Sequence, residues 1–202
     1  MVNLPEALAL LLLTHVIGDY ALQTDSIYKL KTTGGIIGLA IHVAIHIIIT
    51  GMLLQLGFLR NWLLLLLLFL LHFTVDLAKL QMNTRFQFVA YLLDQVFHIF
   101  CILFLFWLFP QTETLVPSEY LFYLLMYSLV PFVTMTMWVW YSEKQRLLRP
   151  DDEAILTKGF FGRMKRVSQI SALPLIIAVA LWLQFDGITL LEMVITTIET
   201  FS

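Results

Sequence analysis

The chain has 202 residues, 60% of them hydrophobic and 13% charged, with a formal net charge of −2. A soluble domain of this length cannot hide so much apolar surface, so the composition excludes an ordinary globular protein and points to an all-α, polytopic membrane helix bundle. No basic excess invites nucleic acid, and the single cysteine, Cys101, excludes an intrachain disulfide.

Six runs approach or exceed the roughly 20 apolar residues that carry a helix across a bilayer. They are Glu6–Gln23, Gly35–Gln55, Trp62–Leu80, Phe88–Phe109, Tyr120–Tyr141 and Ser168–Phe185. The first has no basic residue ahead of it and no small-residue cleavage site, the pattern of a retained helix and not of a signal peptide. It carries His15 and Asp19. The second carries His42 and His46, the third His72 and Asp76, the fourth Asp94 and His98. The fifth carries no such pair. After it, residues 141–167 form a polar stretch with a short surface helix and a turn at Pro150, and the sixth span contains Pro174. The chain divides into a four-helix core at 1–110 and, at 111–202, two further spans with the basic segment 141–167 between them.

Assigning the connecting segments alternately to two sides sorts the charges. One side receives Lys29, Lys31, Lys79, Arg85 and the basic residues from Lys144 to Arg166; the other receives only Arg60. The positive-inside rule makes the first side cytoplasmic and places both termini outside the inner membrane of a bacterium. Arg163, Lys165 and Arg166 then face the anionic headgroups of membrane lipids.

All five histidines lie in the first 98 residues, and each has a His or Asp four positions away. Residues so spaced share one helix face, one turn apart. An ionisable group in hydrocarbon is costly, so each pair is a functional-site candidate. Measured from the cytoplasmic end of each span at 1.5 Å per residue, all eight groups fall in a slab roughly 6–17 Å deep. Helices of opposite direction had to place their pairs at opposite ends to achieve this. Three carboxylates brought together repel unless a cation compensates. Imidazole with carboxylate suits a divalent metal, zinc first and manganese or iron as alternatives, while the lack of thiolate argues against copper(I). The predicted ligand set is His15, Asp19, His42, His46, His72, Asp76, Asp94 and His98, for two or three metals, or for one or two with the remaining groups outside coordination. Asp19, Asp76 and Asp94 are also the candidate catalytic bases. Thr14, Gln23, Thr74 and Gln95 flank the pairs and are placed to hydrogen-bond the ligands.

Other readings stay open. The pairs suit a plain hydrogen-bonded core, or an ion or proton pathway, although the outer halves of the four helices are nearly pure Leu, Ile, Val and Phe. A haem would not want three aspartates beside it, and the HxxHH clusters of membrane di-iron oxidases are missing.

The segments "HVIGDYALQ", "HVAIH", "HFTVDLAK" and "DQVFH" resemble the bacterial membrane family called domain of unknown function 3307, over roughly the first 105 residues. "KGFFGRMKR" echoes that family's Gly-x-x-Gly-x-x-x-Arg turn through Gly159, Gly162 and Arg166. More distantly, His15, Gly18 and Asp19 are similar to the His-x-x-Gly-Asp helix of zinc-dependent phospholipase C and the fungal single-strand nucleases. The Pro-x-His and N-terminal Trp of those enzymes are missing here. That likeness implies phosphoester hydrolysis at clustered zinc. The expectation is a membrane-embedded, metal-dependent hydrolase of a lipid or lipid-linked phosphoester at the cytoplasmic leaflet. Lys79 and Arg166 are the candidates for holding phosphate, or else snorkelling anchors. The alternative is a non-catalytic metal-binding protein or a metal or proton carrier.

Overall fold

The computed structural model describes residues 5–55, 57–82, 87–116, 118–148 and 166–168, and the regular structure among them is helical. The elements are α1 (Glu6–Val16), α2 (Asp25–Thr33), α3 (Gly35–Leu53), the short α4 (Gly57–Arg60), α5 (Trp62–Gln81), α6 (Gln87–Leu108) and α7 (Ser118–Leu148). α1 runs on through a π-helical turn at Ile17–Ala21. Helices α3, α5, α6 and the Tyr123–Gln145 part of α7 are each long and apolar enough to cross a membrane. The segment Glu6–Ala21 meets that criterion only with α2, from which it is bent by 92°, for up to five spans in all. The predicted sixth span lies outside the described residues apart from Ser168, as does most of the basic segment before it.

Helix α1 is the centre of the bundle because it has no polar face to leave outside. A helix that is apolar all round finds its lowest free energy when every side is covered. Ala9, Leu13, Ile17 and Ala21 pack with Leu121 and Leu125 of α7. Leu10 and Leu11 pack with Leu64, Leu65 and Leu68 of α5 and with Ile102 and Leu105 of α6. The outward faces are as apolar as the interior: Ile37 and Ile48 on α3, Leu66 and Leu70 on α5, and Phe97, Phe100 and Phe104 on α6 are all exposed. Such a surface has hydrocarbon as its natural solvent, and helices satisfy their own backbone there.

Helix α2 is the element that apolar runs alone do not reveal. Thr24 starts it, its Oγ1 accepting from the Ile27 amide at 3.4 Å, and Asp25 in the first turn complements the helix dipole. Gly34 ends it, and Gly35 turns the chain with a φ of 59°, a left-handed value that favours glycine. A Cβ on Gly38 would overlap the Leu30 carbonyl, so its hydrogen lets α2 fold tightly back against α3. At the neighbouring end of the bundle, the Glu143 carboxylate of α7 accepts from the Phe88 amide in the first turn of α6.

Candidate metal centre

Four helices each deliver one pair. α1 and α5 run in one direction and α3 and α6 in the other, so the fourfold spacing sorts the eight side chains into two tiers. His15, His46, His72 and His98 form the first, with ring centroids 4.0 Å apart for His46 and His72, 4.3 Å for His72 and His98, and 4.8 Å for His15 and His98. Asp19, His42, Asp76 and Asp94 form the second, one turn nearer α2. None of the eight is more than 7% exposed, so bulk water does not solvate them.

The π-helical turn places Asp19 at the middle of the cluster. Asp19 Oδ1 lies 3.1 Å from His42 Nε2, 3.2 Å from His46 Nε2 and 3.7 Å from His72 Nε2, and Oδ2 lies 3.8 Å from His15 Nε2. Turns of this kind inside α-helices occur frequently at functional sites, because the extra residue re-aims a side chain. Gly18 makes room for the opposite wall. A Cβ there would sit 2.5 Å from both Nδ1 and Nε2 of His46, far inside van der Waals contact. The Gly-Asp step in "HVIGD" therefore serves two neighbours: the glycine admits the His46 ring, and the aspartate meets it.

The second tier is continued by a third that the sequence reading missed. Lys31, buried on α2, places Nζ 2.5 Å from Asp76 Oδ1. Lys79 places Nζ 2.5 Å from Asp94 Oδ2 and lies over the Tyr91 ring at 5.7 Å. Lys79, the candidate for holding phosphate or for snorkelling, thus turns its ammonium inward to Asp94 while its side chain stays 31% exposed. Arg166, the other residue expected to hold phosphate, is exposed in the 166–168 stretch, which Ser168 joins to Thr134 of α7 by a 2.8 Å hydrogen bond. The signal that points to Lys31 is Gly34, Gly35 and Gly38 just after it. Such a cluster marks a tight helix corner that turns one face of α2 inward.

Each lysine takes one carboxylate oxygen and leaves the other. Asp76 Oδ2 and Asp94 Oδ1 are buried without a hydrogen bond, as are His46 Nε2, His72 Nε2 and His98 Nε2. His98 donates through Nδ1 to the Asp94 carbonyl at 2.9 Å, which leaves the Nε2 lone pair facing inward. Of the flanking residues, Gln95 behaves as expected: Nε2 donates to Asp94 Oδ2 at 2.9 Å, and Oε1 lies 3.4 Å from His15 Nε2. Thr14 and Thr74 do not. Their hydroxyls donate to their own helices, at Leu11 and Leu70, and Thr74 is on the exposed side. A cavity of about 10 Å³, room for about one water, opens beside the four-histidine tier. Leu68, Leu71, Cys101 and Ile102 close its other side.

Three groups in the cluster have ligand atoms within 4.8 Å of one another: His15, Asp19, His46 and His72; His42, His72 and Asp76; and Asp76, Asp94 and His98. All eight predicted ligands appear in these groups. Leaving a buried polar atom unpaired costs about 1–3 kcal/mol. Ligand atoms so close together within each group form donor sets that could hold a divalent cation. A chain of hydrogen bonds from Tyr20 Oη to Tyr91 Oη at 3.0 Å, and on to Thr136 Oγ1 at 2.9 Å, braces α7 against the second tier.

A family model described as "Protein of unknown function (DUF3307)" matches residues 7–141. No curated protein and no solved structure matches the chain.

Proposed function

The chain belongs to DUF3307, whose description gives no activity, and from the site we propose a membrane-embedded, metal-dependent hydrolase of a lipid or lipid-linked phosphoester. The observation that carries the reading is that buried atoms of His46, His72, Asp76, Asp94 and His98 lack hydrogen bonds in groups whose ligand atoms lie within 4.8 Å of one another. A divalent cation, zinc by preference and manganese or iron as alternatives, supplies an activated water and offsets charge on a phosphoryl oxygen when bound. His15, Asp19, His42, His46, His72, Asp76, Asp94 and His98 hold it or orient what holds it. The carboxylate that accepts or returns the proton is one of Asp19, Asp76 and Asp94.

The charge distribution supports a bacterial inner-membrane protein of six spans with both termini outside, the sixth at residues 168–185. Lys31 and Lys79 mark the cytoplasmic end of the site, at the depth of lipid headgroups. Reporter fusions at Thr33, Phe86 and Asp152 are expected to report cytoplasm, and fusions at Gln111 and the C-terminus the outside. An external report at Phe86 would end the argument from common depth.

A metal or proton carrier is the second reading, favoured by one observation: the first apolar segment breaks beside the site with a 92° bend, as substrate-binding helices of transporters do. Proteoliposomes separate the two. Phosphate release from a panel of phospholipids and lipid pyrophosphates, dependent on added metal, is the expected result. Metal flux with no phosphate release from any lipid would establish the carrier instead.

A further inference from the structure

We infer that the centre is mononuclear. Asp19, His46 and His72 hold one tetrahedral divalent cation whose fourth position is left to water, and Lys31 and Lys79 stand where a second cation would otherwise be needed. The inference rests on the metal reading above and deepens it by assigning number and ligands among the eight candidates.

Three observations carry it. The first is fit. Zinc bonds of 2.0–2.1 Å put the edge of a ligand tetrahedron at about 3.3 Å. His46 Nε2 and His72 Nε2 lie 3.2 and 3.7 Å from Asp19 Oδ1, close to that edge, whereas His15 Nε2 is taken by Gln95 Oε1 at 3.4 Å. The second is exclusivity. The group of His42, His72 and Asp76 needs the same His72, which offers one ligand atom and so serves one ion. The third is charge. In the remaining group of Asp76, Asp94 and His98, both carboxylates are already paired with ammonium groups at 2.5 Å. That tetrad of two aspartates and two lysines is neutral, so it offers no net negative charge to a second dication that the first would also repel. Asp19 alone keeps its full charge among imidazoles. His98 is then left facing the one-water cavity, where a water satisfies Nε2.

The test is metal stoichiometry on the full chain, purified in mild detergent and titrated with zinc, with cobalt substitution to read geometry. The wild-type chain is expected to saturate at one ion per chain and to give the intense visible absorption of four-coordinate cobalt. Asp19→Asn and His72→Ala are expected to hold none. The paired substitution Lys79→Met with Asp94→Asn removes both charges together, so no unpaired charge is left buried, and it is expected to keep one ion with the same cobalt spectrum. Two or more ions in the wild-type chain, or loss of the ion in the paired variant, would overturn the assignment while leaving a metal protein. No ion in the wild-type chain would remove the metal reading itself, and this inference with it.

Discussion

Asp19→Asn is expected to abolish lipid phosphate release, with a fall of at least about 1000-fold, the scale on which members of a catalytic unit fail. Asp19 contacts four histidines from three helices, through His15, His42, His46 and His72, so neutralising it removes both the charge that attracts a cation and a shared ligand. Because those groups act as one unit, adding His46→Ala to Asp19→Asn should cost little more. Two independent losses would instead multiply. Turnover by Asp19→Asn within tenfold of wild type, measured as phosphate release in the same proteoliposomes, would show that Asp19 is not part of the chemistry. Asp94→Asn is expected to cost less, about 10–100-fold, because the Asp94 carboxylate acts through its pair with Lys79 and through Gln95, which it holds against His15.

Lys31→Met is expected to be the most destabilising single substitution among the polar residues, by about 3–5 kcal/mol, the cost of leaving a buried charge uncompensated. Asp76 has no exposed surface and finds its full countercharge only in Lys31. Lys31→Met combined with Asp76→Asn should recover most of the loss, since a neutral pair of similar volume carries no uncompensated charge. Thermal unfolding of the detergent-solubilised protein measures both. A double variant no more stable than Lys31→Met would mean that Lys31 contributes packing of its stem and not charge. Single and double variants both indistinguishable from wild type would show that the α2 contact is dispensable.

The sequence alone was enough to find the eight His and Asp residues, their pairing on one face of each helix, and the helices that carry them. Those properties are local. An apolar run and a spacing of four are read within a single helix, without knowledge of its neighbours. For the same reason α3, α5, α6 and much of α7 fall close to the predicted spans. Gln95 was legible too, since it adjoins Asp94 in the chain.

The tertiary structure decided what depends on the meeting of distant segments. The first apolar run does not continue to Gln23 as a plain helix; it ends in the π-helical turn at Ile17–Ala21, because Asp19 must reach histidines on α3 and α5. Lys31 lies 45 residues from Asp76, and no local pattern links them. Only the bend into α2 and the glycine corner at Gly34, Gly35 and Gly38 bring the ammonium inward. Lys79 reads from its position as a surface anchor one turn beyond Asp76, yet the approach of α6 gives it Asp94 as a partner, and a buried carboxylate outcompetes water for the ammonium. Spacing along a chain shows which groups share a face. Which of them neutralise one another, and so how much charge is left for a cation, is set by the packing of α2, α5 and α6.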